Sequence, residues 1–220
     1  MKLNGARINF LGDSITEGFS LVHPETERFP DLIATCEGLT ARNYGLCGTR
    51  IARQQRPTPG CPTFDLDFCQ RAREMDQDAD AVVVFGGTND YGHGDAPLGC
   101  FSDRTPDTFY GACHTLMIYL QSAYPVQPIL FITPLHRLNE DDISGDSGKP
   151  HGQGPLRVYR DILLETALSH GLPVLDLYSE SGIDPENPVQ REQLMPDGLH
   201  PNALGHRILA RKITARLKAL

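Results

Sequence analysis

Five short apolar runs, each followed by a stretch with helical spacing, constrain this chain more than any other feature. The runs lie at residues 6–12 (ARINFLG), 39–45 (LTARNYG), 79–87 (ADAVVVFGG), 128–134 (PILFITP) and 172–178 (LPVLDLY). Several are continuous rather than alternating, which suits strands buried on both faces of a parallel sheet. Helical patterns follow each run: FPDLIATCEG, then FDLDFCQRAREM over 64–75, then TPDTFYGACHTLMIYLQSAY with Pro106 near its start, then PLRVYRDILLETALSHG closing on Gly171, and finally NALGHRILARKITARLKAL. Strand and helix alternating five times predict an α/β fold: a parallel five-stranded sheet with helices on both faces, in the flavodoxin-like order 2-1-3-4-5. No internal repeat or linker divides the chain, so one domain over residues 1–220 is expected. Two long irregular stretches, 88–105 and 135–153, are loops of functional length.

Charge and cysteine content narrow the function classes. A formal net charge of −8 argues against nucleic acid or an anionic membrane as partner, and no apolar stretch is long enough for a membrane span. The N-terminus lacks signal-peptide architecture, because its apolar run is short and leads into a glycine turn. The six cysteines, at 36, 47, 61, 69, 100 and 113, include no Cys-x-x-Cys pair. They read as reduced thiols of a cytoplasmic protein, with a Cys61–Cys69 or Cys47–Cys61 bridge as the alternative. A leader removed from upstream, and a homo-oligomer, are both compatible with this reading.

The tripeptide Gly-Asp-Ser occurs twice, at 12–14 and 145–147. The first follows a predicted strand directly, and in such a sheet ligands gather beyond the carboxyl ends of the strands. Ser14 there opens a helix-like segment, SITEG, with free backbone N–H groups. Its hydroxyl can attack an ester carbonyl, and its own N–H can help hold the resulting oxyanion. The second copy lies in the polar, glycine-rich EDDISGDSGKPHGQGP, with no strand before it. Ser14 is therefore preferred to Ser147; its bland alternative is an N-cap or turn residue.

Other strand ends carry matching chemistry. Asn89, in GGTNDYGHG, has an amide that can donate to an oxyanion. Gly48, in NYGLCGTR, can present a bare backbone N–H, and is preferred to Gly45, which still belongs to the strand. In MPDGLHPNALGH, Asp197 precedes His200 by three residues. A carboxylate there can hold Nδ1–H and leave Nε2 to take a serine proton.

These four blocks resemble the SGNH hydrolases, also called GDSL-like lipases and esterases, and the resemblance covers most of the chain. It implies a three-layer α/β/α sandwich. It also implies Ser14 as nucleophile, His200 as general base, Asp197 as its orienting partner, and an oxyanion hole of the Ser14 N–H, the Gly48 N–H and the Asn89 side chain. Residues after the nucleophile read Ile15-Thr16-Glu17, without the leucine of the family's common name. The elbow Gly-x-Ser-x-Gly of the α/β-hydrolases is absent.

The expected activity is hydrolysis of a small or medium carboxylic ester, such as an acetylated carbohydrate or a short acyl ester, with no cofactor. Alternatives are a thioesterase, a lysophospholipase, or a non-catalytic glycan-binding module. Arg50 in the basic TRIARQQR, Tyr91, His93 and His136 are candidate substrate contacts, and the 135–153 loop a candidate lid. A metal phosphoesterase would need Asp13, Asn89, Asp90 and His200 as ligands, yet no metal-ligand spacing repeats. Asp90 reads better as a turn-stabilising acid, and His206, inside the last helix, as a packing residue.

Overall fold

The computed structural model describes residues 1–146 and 153–220. Its centre is a five-stranded, all-parallel sheet: β1 (Arg7–Gly12), β2 (Thr40–Gly45), β3 (Ala81–Phe85), β4 (Ile129–Ile132) and β5 (Val174–Leu175). The spatial order is β2-β1-β3-β4-β5, as the alternating runs predict. Around it run α1 (Ser14–Glu17), α2 (Pro24–Glu27), α3 (Phe29–Glu37), α4 (Phe68–Arg71), α5 (Thr88–His93), α6 (Phe109–Ala123), α7 (Leu156–Ser169), α8 (Leu177–Glu180), α9 (Pro188–Leu194) and α10 (Ala203–Lys218). None is long and apolar enough to cross a membrane.

Strand side chains alternate between two cores even where the sequence is continuously apolar. Val82, Val84 and Phe131 face one way, toward Leu116 and Leu120 of α6 and Tyr159 of α7. Ala81, Val83 and Phe85 face the other, toward Phe29 and Ile33 of α3 and Leu209 and Ile213 of α10. Burying both faces explains why the runs look unpatterned. Asn9 is a polar exception in β1; its amide donates to the Asp76 carbonyl at 2.7 Å and to the Tyr124 hydroxyl at 3.1 Å.

Three elements differ from the sequence reading. The stretch 88–105 is not irregular throughout: Gly87, at φ +105°, turns the chain out of β3 and into α5. The helix expected over 64–75 is broken into a 3₁₀ turn at Pro62–Asp65, α4, and a second 3₁₀ turn at Ala72–Glu74. Asp67 accounts for the restart, since its side chain accepts from the Gln70 N–H and caps α4. The Phe68 N–H goes outward to the Arg50 carbonyl. β5 is only two residues long because Asp176 turns away to receive the Thr133 hydroxyl at 2.8 Å and the Arg160 guanidinium.

The register places the site. Gly12 pairs with Gly45 on one side and with Phe85 on the other. The segments after β1, β2 and β3 therefore leave the sheet at one level, side by side. Gly12 must be glycine for space: a Cβ there would lie 2.0 Å from Thr16 Oγ1 and 2.9 Å from the Phe85 carbonyl.

Candidate active site

Ser14 opens α1 immediately beyond β1. Asp13, extended at φ −102°, caps the helix by accepting the Ile15 N–H at 3.0 Å, and Gly18 closes it in the left-handed region. This tight strand-to-helix turn leaves the Ser14 hydroxyl at the sheet edge, 3.0 Å from His200 Nε2. His200 Nδ1 lies 2.7 Å from Asp197 Oδ2. The other Asp197 oxygen accepts the backbone N–H groups of Leu199 and His200, at 2.9 and 2.7 Å. The segment PDGLH is thus a turn folded around one carboxylate, as its Gly and Pro suggest.

A carboxylate only accepts, so the His200 proton sits on Nδ1 and the Nε2 lone pair faces the Ser14 hydroxyl. Partial burial raises the Asp197 pKa, but hydrogen bonds from the His200 ring and from the His200 and Leu199 backbone outweigh it and hold the group at about 2. Asp13 behaves oppositely: burial pushes it up to about 6 against the Ile15 N–H and the nearby His200 and Arg71.

Alongside the Ser14 segment run those that follow β2 and β3. Gly48 has φ +75°, and a Cβ there would lie 2.2 Å from the Phe64 ring, so only glycine fits. Asn89 is buried on α5, its Nδ2 donating to the Thr49 carbonyl at 3.0 Å. Among the described residues no acceptor receives the backbone N–H of Ser14 or of Gly48.

Asp90 accepts the Ile51 and Ala52 N–H groups at 2.9 and 2.8 Å, which ties α5 to the segment carrying Gly48. With both carboxylate oxygens engaged, Asp90 acts as the turn-stabilising acid its glycine-rich context suggests. Among the described residues, no three His, Cys, Asp or Glu side chains converge as metal ligands.

Of the four candidate substrate contacts, Arg50 and His93 lie against each other beside Asn89. Tyr91 and His136 do not join them. The buried Tyr91 hydroxyl reaches the carbonyls of Asn139 and Asp142. His136 Nδ1 meets Glu140 at 2.8 Å, with its ring over Tyr178. Both brace the start of the loop after β4. Ser147 lies outside the described residues.

Arg71 is a neighbour of the candidate site that the sequence reading missed. Its buried guanidinium donates to the Gly12 carbonyl at 3.0 Å, to Thr49 Oγ1 at 2.8 Å, and to the Tyr44 carbonyl. Burial brings its pKa down to about 10. In sequence it sits in QRAREM, indistinguishable from a solvated charge.

The family model for GDSL-like lipases/acylhydrolases matches residues 10–208. A solved structure of a protein from Lactobacillus plantarum is 32% identical, with a TM-score of 0.84 over 99% of this chain and 98% of its own. The lipase/acylhydrolase from Enterococcus faecalis is 20% identical, with a TM-score of 0.63 over 97% of this chain and 96% of its own, a likeness of fold. A search of curated proteins found no match. With the sheet order, the strand-edge serine and the terminal Asp-His turn already in place, these matches lead to one statement: the chain belongs to the GDSL-like lipase/acylhydrolase family.

Proposed function

We propose that this chain is a serine esterase working through an acyl-enzyme. The observation that carries the reading is the unbroken line from the Ser14 hydroxyl through His200 to Asp197. As Ser14 Oγ attacks an ester carbonyl, its proton passes to His200 Nε2, and Asp197 stabilises the imidazolium. The carbonyl oxygen becomes an oxyanion, received by the Ser14 and Gly48 N–H groups and the Asn89 amide. Collapse expels the alcohol, which takes the proton back from His200. Water, deprotonated by His200, then attacks the acyl-serine and releases the acid.

A cavity of about 520 Å³, bordered by Arg50 and His93, sets the Phe64 ring and the prolines at 57 and 59 beside Gln54, Thr58 and Asp95. A bounded cavity that mixes an aromatic ring, two prolines and polar side chains suits a compact moiety better than a long alkyl chain. This favours a short acyl ester or an acetylated carbohydrate over a lysolipid.

A fluorophosphonate probe tests the nucleophile. The adduct should map to Ser14, vanish in Ser14→Ala and persist in Ser147→Ala. An adduct on Ser147, or turnover of p-nitrophenyl acetate surviving in Ser14→Ala, would reject the assignment. Rates across acyl chain lengths should fall as the chain grows.

A further inference from the structure

An oxyanion-binding amide must point its nitrogen, not its oxygen, toward the developing charge. Asparagine can adopt either orientation at nearly equal steric cost, so something must choose. At Asn89 the choice is made from both sides. Nδ2 faces the Thr49 carbonyl at 3.0 Å, and a carbonyl only accepts. Oδ1 faces His93 Nε2 at 3.2 Å. That second contact holds only if Nε2 carries the imidazole proton.

Arg50 supplies that condition. Its guanidinium is hydrogen-bonded to His93 Nδ1. A guanidinium has donors and no acceptor, so Nδ1 must present its lone pair and the ring proton must sit on Nε2. The donor direction then runs one way: Arg50 to His93, His93 to Asn89, Asn89 to Thr49. The second Nδ2 hydrogen is left for the oxyanion.

The fold places each member. Asn89 and His93 are four residues apart on α5 and share a face. Arg50 follows Gly48 closely, is 2% exposed, and donates to the Phe64 carbonyl at 3.0 Å. The Phe64 ring lies 5.6 Å from His93 and walls Gly48. One cluster therefore shapes two of the three oxyanion donors.

We propose that Arg50 and His93 are positioning residues for the oxyanion hole: Arg50 fixes the His93 tautomer, and His93 fixes the Asn89 amide with its nitrogen toward the reacting carbonyl. This rests on the esterase reading above. Both side chains also line the cavity described above; as positioning residues their effect on turnover runs through Asn89, whereas a direct substrate contact would act without it.

A double-mutant cycle on p-nitrophenyl acetate hydrolysis separates the two. Asn89→Ala should lower kcat by roughly 10²–10³, the effect of one lost oxyanion donor. His93→Ala should lower kcat by roughly 10–10², with KM within about threefold, because a misoriented amide weakens only the transition state. In the Asn89→Ala background, His93→Ala should cost no more than about twofold, since residues acting as one unit are not additive. His93→Gln, which returns an N–H near the Nε2 position, should recover most of kcat. Arg50→Met should lower kcat in the wild type and much less in His93→Ala. A His93→Ala loss persisting in full without Asn89, a KM rise with kcat intact, or no loss at all would each overturn the proposal. Turnover surviving in Ser14→Ala would reject the esterase reading itself. Additive losses with turnover still dependent on Ser14 would reject the relay alone.

Discussion

His200 and His206 flank the start of α10, and the protein uses them in opposite ways. His200 stands at the turn before the helix, with one nitrogen on Asp197 and the other on Ser14. His206 is fully buried inside the helix. Its Nδ1 accepts the Phe29 N–H at 3.2 Å, and its ring stacks on Phe29. Burial pulls its pKa down to about 3, so it stays neutral through the physiological range. Burial alone makes a histidine a spacer. A carboxylate behind it and an opening in front make it a candidate base.

The sharpest way to break this contrast is kinetic. His200→Ala should lower kcat by roughly 10⁴–10⁶, as loss of a triad base does. Asp197→Ala should cost less, roughly 10²–10⁴, because the imidazole can still accept a proton from an imperfect pose. The double variant should be scarcely slower than His200→Ala alone. Fully additive losses would separate Asp197 from His200 and leave it a turn residue.

A second arm reads stability against pH. The His206 pKa is about 3 folded and about 6.5 unfolded, so between these values the unfolded chain binds the extra proton. Stability attributable to His206 is therefore present above about pH 6.5 and lost as pH falls, by about 3 kcal/mol at pH 4. In His206→Asn an amide oxygen can accept the Phe29 N–H without titrating. Urea melts should show this variant gaining on the wild type by roughly that amount between pH 7 and pH 4, with turnover at pH 7 kept. Parallel pH curves would show that His206 does not titrate on unfolding.

The smallest effect contrasts the two carboxyls, Asp197 held at about 2 and Asp13 pushed up to about 6. Asp13 binds its proton more readily folded than unfolded, so the sign reverses. Its charge costs stability above pH 6, by up to about 3 kcal/mol, and the cost fades as pH falls toward 4. Asp13→Asn, which retains the helix cap, should therefore raise the melting temperature at pH 8 and leave it unchanged near pH 4. Equal melting temperatures at both pH values would remove Asp13 as a strained group.

Sequence legibility followed the range of the interactions. The sheet order was readable because five apolar runs alternate with helical spacing, and those are local patterns. Ser14, Gly48, Asn89 and the Asp197–His200 turn were legible as candidates because each sits at a strand end or in a turn with its own glycine or proline. Arg50 and His93 were visible as polar residues near the edge. That they face each other depends on two segments meeting from different strands. Tyr91 and His136 look similar in sequence and face other partners for the same reason. The broken helix over 64–75 was hidden because Asp67 reads equally well as a helix surface residue or a cap.

Arg71 has a consequence in time rather than in space. Its guanidinium joins the chain at Gly12, Tyr44 and Thr49, so the segments bearing Ser14 and Gly48 are clasped by one buried cation. Such a clasp forms when the sheet forms. Donors held this way are organised during folding, not at each encounter with a ligand. On the esterase reading, the candidate oxyanion donors are therefore held in place before substrate arrives. On heating, the segments bearing Ser14 and Gly48 should stay in register until the sheet edge itself comes apart.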